Sequence, residues 1–285
     1  MNPRLVYAAG TGFGWSGPYR NFPAMDLTIQ AMSGIMATTG HPDRPPVKAG
    51  PAVADFFGGV HLYGAVVTAL FDRERSGKGR FVEVSMLDSV YASLSSALGL
   101  YFGSGGGAMP RTGNRHSGMA EAPYNVYEAS DGFLALICVS ETHWKSLLKA
   151  MGREDLDEDA RLCTLKARVE NIDFVDDTIT AWTRQFTRAE LDEKLKAHRV
   201  PCAQVRDLGE VVSDPHMHER GMLRHVSHPL LGDLVLPASP MRYDGETIEE
   251  LRPSKELGAD NVSVYKGWLG VSDNEFATLE RAEAI

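Results

Sequence analysis

The sequence has few cysteines: Cys138, Cys163 and Cys202 are the only ones among 285 residues. They lie far apart and form no Cys-x-x-Cys pair, which argues against a disulfide framework and against a thiolate zinc site. We therefore expect three reduced, buried thiols.

Long apolar runs are also missing, since none reaches the roughly 18 residues that a membrane-spanning helix needs. The N-terminus, "MNPRLVYAAG", has no positively charged region followed by an apolar one, as a secretory signal would have. These absences predict a cytoplasmic protein without a membrane partner.

Positive charge is in deficit, with 29 basic against 38 acidic residues and a formal net charge of −9. Nucleic acids are bound through a positive surface, so we expect no nucleic-acid partner. Basic groups concentrate in "MPRTGNRHSG", where Arg111, Arg115 and His116 have no acidic neighbour in the sequence. This segment is either a site for a small anion or a solvated loop.

Strand-like and helix-like segments alternate along the chain, which predicts an α/β fold with a smaller α+β unit. The segment "YNVYEASDGFLALICV" places two apolar runs around a Ser-Asp-Gly turn and predicts a β-hairpin. The predicted ranges are 1–102 for a large domain, 103–122 for a glycine-rich linker, 123–195 for the small α+β domain, 196–212 for a second linker, and 213–285 for a segment that returns to the large domain.

Two helix starts carry a capping box, a pair of side chains three positions apart that satisfy each other's free amides. These pairs are Thr187 with Glu190 and Ser272 with Glu275. Each predicts a helix that begins directly after the first residue of the pair.

One carboxylate stands in unusually apolar surroundings, in "VKAGPAVADFFGGVHLYGAVVTALF". Asp55 precedes a long helical pattern, and an aspartate at that place is commonly the N-cap. Alternatively, the helix N-terminus keeps the carboxylate ionised, and Asp55 acts as a nucleophile towards an acyl carbon. The neighbouring Gly58 and Gly59 would let a ligand approach the backbone closely.

The histidine-rich segment "DPHMHERGMLRHVSHP" lacks a metal-site spacing, because no cysteine or closely placed acid completes a ligand set. We expect no metal. The absence of a Gly-x-Ser-x-Gly motif leaves a hydrolase triad without support.

Several longer segments resemble one known family. They are "NPRLVYAAGTGFGWSGPY", "VKAGPAVADFFGGVHLYGAVVTALFDRERSGKGRFVEVSMLDS", "RTGNRHSGMAEAPYNVYEASDG", "VPCAQVRDLGEVVSDPHMHERGML" and "HPLLGDLVLPASPMRY". Together, and in this order, they resemble the family III CoA-transferases, also called the CaiB/BaiF family. The resemblance covers essentially the whole chain.

The resemblance implies a CoA-transferase that moves CoA from an acyl-CoA donor to a carboxylic acid, with the CoA thioester as a substrate and no cofactor. The nucleophile of the family, in a Gly-x-x-x-x-Asp-x-x-x-Gly stretch, matches Asp55. Asp26 corresponds to a nearby acidic site residue and is expected to contact substrate. Arg111, Asn114, Arg115 and His116 are candidate ligand contacts in the loop.

The resemblance also implies a Rossmann-type large domain, incomplete at its N-terminus because family members have roughly a domain's worth of further N-terminal residues. It implies an interlocked homodimer, with a hetero-oligomer as the alternative. An apolar sheet edge near residues 3–9 should then be exposed.

Two alternatives to the transferase remain open. Racemases of the same family pair the aspartate with a histidine, but this chain has Met25 at that place, which cannot exchange a proton. The other alternative is a non-catalytic fragment or subunit without a complete CoA site.

Overall fold

The computed structural model describes residues 2–246 and 251–285. The chain divides into two compact units, Met1–Val205 and Arg206–Ile285. Met1 and residues 247–250 lie outside the described residues, so the predicted ranges 1–102 and 213–285 are described only in part.

The first unit opens with a parallel strand pair. Strand β1 (Tyr7–Thr11) pairs with β2 (Phe81–Ser85), with Tyr7 opposite Phe81. A parallel pair needs a long crossover, and helices supply it. They are α1 (Asp26–Ser33), α2 (Ile35–Thr38) and α3 (Val53–Ser76). The α/β class is thereby confirmed, while a Rossmann-type sheet beyond these two strands stays a prediction.

Beyond β2 the chain turns directly into α4 (Met86–Tyr91), a 3₁₀ turn (Ala92–Leu94) and α5 (Ser95–Gly103). The core of this part is small. Ile29 of α1, Ala54 of α3 and Val90 of α4 are fully buried against one another. They fix where the first turn of α3 lies against the neighbouring helices.

Helix α3 changes one expectation drawn from the sequence. By length and composition alone, its 24 residues suffice to cross a membrane, because an 18-residue window of it has a mean hydropathy of 1.4. The prediction that no apolar segment is long enough to span a membrane was therefore wrong for this helix. A core helix of a soluble protein passes the same test, so this finding carries no further conclusion.

The predicted small-domain range contains an antiparallel sheet covered by helices. The predicted hairpin is confirmed as β3 (Tyr124–Ala129) and β4 (Gly132–Ile137). Its helices are α6 (Glu141–Met151), α7 (Leu165–Glu170), α8 (Ile172–Thr183) and α9 (Arg188–Ala197), with a 3₁₀ turn at Glu154–Glu158. Sheet and helices enclose a continuous core that includes Tyr127, Trp144 and Leu191.

A third strand joins this sheet from outside the predicted small-domain range. Strand β5 (Cys202–Gln204) pairs with β4, so that Leu136 lies opposite Cys202. The sequence assigns these residues to the linker 196–212. Three residues are too short for a detectable alternation, and only the free edge of β4 shows where they pair.

The second unit contains a two-stranded antiparallel sheet and short helices. Its elements are α10 (Leu208–Val212), α11 (Pro215–Glu219), β6 (Leu223–His228), β7 (Gly232–Pro237), a π-helical turn (Val262–Trp268) and α12 (Asp273–Arg281). His218 and His225 stack with ring centroids 5.2 Å apart. Within residues 2–246 and 251–285, no group of three histidine, cysteine or acidic side chains is placed to hold a metal.

Both capping boxes are confirmed: Thr187 with Glu190 starts α9, and Ser272 with Glu275 starts α12. The cysteine expectation is only partly confirmed. Cys138 is buried, but Cys202 is half-buried and Cys163 is exposed.

Candidate active site

Asp55 lies in the first turn of α3, as its third residue. The N-cap position belongs to Ala52, which has no side-chain cap bond, so the interpretation of Asp55 as the N-cap was wrong. The side chain of Asp55 is exposed. The free amides and the positive end of the helix dipole stabilise a negative charge there.

The surface beside Asp55 is open on one side and firmly packed on the other. Gly59 follows one turn later on the same face, and a side chain added there would meet nothing within 4 Å. Gly58 instead packs closely on α4, where an added Cβ would lie 3.1 Å from Cγ of Met86. A ligand can therefore reach the carboxylate while the helix beneath it stays fixed.

Asp26 supplies the cap that α3 does not provide for itself. Its Oδ1 accepts a hydrogen bond from the backbone amide of Ala54, 2.9 Å away. Its Oδ2 accepts a second bond, from Nε2 of Gln30 at 2.6 Å. The structure thus brings Asp26 to the start of the helix that carries Asp55.

Arg111 is held by the main chain of an earlier segment. Its guanidinium donates to the carbonyl oxygens of Ala37, His41 and Arg44 at 3.3–3.4 Å. The amide of Gly113 adds a bond to the carbonyl of Gly40 at 2.9 Å. Arg111 therefore fixes the loop against α2 and the segment that follows it.

Arg115 meets two acids that are distant in the sequence. Its Nε donates to Asp176 at 2.7 Å, and Nη2 donates to Asp173 at 2.6 Å. Burial alone would lower the pKa of Arg115, but the hydrogen bonds and charges of these two carboxylates outweigh it and raise that pKa above its usual value. Much of the positive charge expected in this loop is thus neutralised within the chain.

His116 and Asn114 complete the predicted loop residues. Nδ1 of His116 lies 3.2 Å from the amide nitrogen of Gly118, so Nδ1 is assigned as an acceptor and the ring proton to Nε2. Asn114 is exposed. It lines a pocket of about 370 Å³ together with Asp43, Arg115 and Asn125.

The six predicted residues therefore fall into two groups. Asp26 and Asp55 are joined through the first turn of α3, whereas Arg111, Asn114, Arg115 and His116 lie along the loop before β3. Within the described part of the chain, no hydrogen bond or ion pair joins Asp55 to a residue of the second group. Sequence reasoning missed Gln30 and Asp176; only Gln30 had a signal, its i,i+4 spacing from Asp26 on a helix.

Comparison with known proteins identifies the family. The model of "CoA-transferase family III" matches residues 1–261. The chain belongs to CoA-transferase family III. Among curated family members, it is 32% identical to a formyl-CoA:oxalate CoA-transferase of Streptomyces coelicolor, over 100% of this chain and 72% of the relative. It is 36% identical to an acetyl-CoA:oxalate CoA-transferase of Acetobacter aceti, over 89% of this chain and 63% of the relative.

A solved structure of the family has a similar fold. A CaiB/BaiF family protein from Brucella suis superposes with a TM-score of 0.81 at 31% identity, covering 92% of this chain and 68% of that protein. The chain spans about 60 to 72% of the length of the curated family members it matches. Membership in this family supports CoA transfer between acyl-CoA and carboxylate substrates.

Proposed function

We propose that this protein transfers CoA from an acyl-CoA to a carboxylic acid through a covalent intermediate on Asp55. The observation that carries the proposal is the place of Asp55: an exposed carboxylate in the first turn of α3, with open surface at Gly59. Relatives that act on formyl-CoA with oxalate, or on acetyl-CoA with oxalate, suggest small carboxylic acids as substrates.

The first half of the reaction loads CoA onto the enzyme. The Asp55 carboxylate attacks the thioester carbonyl, the carbon–sulfur bond breaks, and a mixed anhydride and CoA thiolate result. The thiolate then attacks the aspartyl carbon of the anhydride. The donor leaves as a free carboxylate, and Asp55 becomes a thioester of CoA.

The second half repeats these steps with the acceptor. Its carboxylate attacks the aspartyl thioester, which releases CoA thiolate and forms a new anhydride. Attack of the thiolate on the acceptor's acyl carbon gives the new acyl-CoA and restores the Asp55 carboxylate. Overall, one CoA thioester is exchanged for another of similar energy, so the sequence of steps needs neither ATP nor a metal or other cofactor.

The proposal includes a cytoplasmic protein that works as a homodimer. Support for the assembly comes from an apolar stripe on α3, defined here as Phe56, Val60, Val67 and Phe71, at helical spacing. Phe56 is 74% exposed and Phe71 67%. The apolar side chains of Leu5 and Tyr7 are exposed as well, as expected for residues 3–9. Monomeric proteins rarely leave apolar patches of this kind uncovered.

Trapping of the covalent intermediate tests the function. The protein is incubated with a panel of small acyl-CoA thioesters and then with hydroxylamine, and mass spectrometry should find a hydroxamate on Asp55. The variant Asp55→Asn should show neither adduct nor transfer, while its melting temperature stays close to the parent's, because only the favourable interaction of about 0.3–1 kcal/mol with the helix dipole is lost.

Two other outcomes would replace the proposal. Transfer that persists in Asp55→Asn would rule out this nucleophile. Exchange of the α-hydrogen of the acyl-CoA with solvent deuterium, without transfer, would instead favour the racemase, although Met25 offers no second proton-exchanging group.

A further inference from the structure

A fully buried glutamine connects the two sides of the turn that leads to Asp55. Gln30 has no exposed surface. Its Nε2 donates to Oδ2 of Asp26 at 2.6 Å, and its Oε1 accepts from the amide of Ala49 at 2.9 Å. Both ends of the amide are therefore used within the chain.

Asp26 continues this chain of hydrogen bonds to the helix. Since its Oδ1 accepts from the amide of Ala54, the bonds run from Ala49 through Gln30 and Asp26 to Ala54. Ala49 and Ala54 are the two ends of the turn before Asp55. One side-chain pair on α1 thus fixes both ends.

The packing beneath Asp26 and Gln30 leaves the first turn of α3 little freedom to move. Ile29, next to Gln30, is fully buried against Ala54, the residue before Asp55. Displacing the first turn of α3 would break the partly buried hydrogen bond from Ala54 to Asp26 and open this contact. Both losses are costly because buried polar groups need partners and buried apolar groups need close packing.

We infer that Asp26 and Gln30 are positioning residues that act on the reaction through the backbone of residues 49–54. This inference rests on the proposed function, because it concerns the placement of the Asp55 carboxylate. It assigns Asp26 a task beyond the substrate contact expected from the sequence, since each of its oxygens accepts a hydrogen bond from the protein.

An exchange of the two side-chain types tests the inference. In Asp26→Asn the new amide faces the amide of Gln30, and in Gln30→Glu two carboxylates face each other. The double variant Asp26→Asn/Gln30→Glu restores every bond. Its new asparagine accepts from Ala54 and donates to the new glutamate, whose other oxygen accepts from Ala49. The formal charge of the double variant equals that of the parent.

The single variants should lower kcat by the order of 10- to 100-fold, the cost of misplacing a reacting group by about 1 Å, with little change in KM. The double variant should recover most of the parent's kcat. If it stays as slow as Asp26→Asn, the carboxylate at position 26 itself serves the reaction and the inference is overturned. Single variants with the parent's kcat would overturn it too.

Thr28→Val is the matched control. Thr28 lies on the same helix, and its Oγ1 accepts from the amide of Met25 at 2.9 Å, so the change weakens the start of α1 without touching the pair. It should lower the melting temperature and leave kcat near the parent's value.

Hydrogen exchange separates this inference from the proposed function. The amides of Ala49 and Ala54 should be protected in the parent and in the double variant, and should exchange faster in each single variant. This readout needs no turnover, so it stands even if Asp55 forms no adduct. Equal protection in all four proteins would show that the pair does not hold the turn.

Discussion

Arg115 and Asp176 are joined across 61 positions of sequence by a hydrogen bond of 2.7 Å. Asp176 is only 8% exposed and also accepts bonds from Asn125 and Tyr127, at 2.9 and 2.8 Å. Burial, and next the charge of Asp176, raise the pKa of Tyr127 well above its usual value. One buried carboxylate thus links the loop of candidate ligand contacts to the β3–β4 hairpin and to α8.

The first prediction concerns how strongly the Arg115–Asp176 ion pair stabilises the protein. Asp176→Asn should lower the free energy of unfolding by about 1.5–3 kcal/mol, because it removes the charged acceptor of three hydrogen bonds, while Asp173 still pairs with Arg115. Arg115→Met combined with Asp176→Asn should cost less than the sum of the single changes, with a coupling of about 1–3 kcal/mol. Urea unfolding of the four proteins of this cycle measures it.

The pair Arg184–Glu128 provides the control, since its ion pair has a similar length, 2.6 Å, but both side chains are about half exposed. Its coupling should be about 1 kcal/mol or less because water screens the charges. Equal couplings for the two pairs would contradict the role assigned to burial.

The second prediction is a loss of stability in alkali that depends on Cys138. Burial raises the pKa of this thiol to about 12, whereas a thiol in the unfolded chain ionises near about 8.5. Between these two pKa values, the Cys138 thiol ionises only in the unfolded chain. The contribution of the neutral thiol to the free energy of unfolding is therefore complete below the lower pKa. It is lost as the pH rises, by about 1.4 kcal/mol per pH unit.

Urea unfolding at a series of pH values from about 8 to 11 checks the slope. Cys138→Ala lowers the free energy of unfolding at every pH by leaving a cavity. It should also make that free energy fall less steeply with pH, because one buried thiol is absent. Cys163→Ser, at an exposed cysteine, should keep the parent's slope. The same slope in the parent and in Cys138→Ala would refute the assignment.

The third prediction tests the apolar stripe on α3. Val60→Lys together with Val67→Lys places two charges on the stripe and should shift the protein to smaller species in sedimentation, since buried apolar surface contributes about 25 cal/mol per Å². Thr142→Lys, on exposed surface of α6, should leave the distribution unchanged. An unaltered distribution in the double variant would remove the support that the stripe gives to the homodimer.

Much of the site was visible in the sequence because its signals are local. The glycines around Asp55 and the long apolar pattern after it predict a helix start with an ionised carboxylate, and both capping boxes involve residues three positions apart. Such contacts form within one turn of the same helix, so the residue types and their spacing decide them.

Spacing alone did not reveal the partners of these residues. In the sequence, Arg115 has no acidic residue nearby, and Asp26 was recognised as a site residue only through the family resemblance. Their partners, Asp176 and the amide of Ala54, lie 61 and 28 positions away. Strand β5 likewise became recognisable only through the free edge of β4.

The sequence by itself therefore determined the α/β class, the family, the hairpin, the helix starts and the residue that we propose as nucleophile. Only the tertiary structure decided that Asp26 caps α3, that Gln30 donates a hydrogen bond to Asp26, and that Asp176 neutralises Arg115. The physical reason is that a contact between neighbours in sequence follows from backbone geometry. A contact between distant residues depends on how whole helices pack. For Asp26 and α3, that packing is set by the buried side chains of Ile29, Ala54 and Val90.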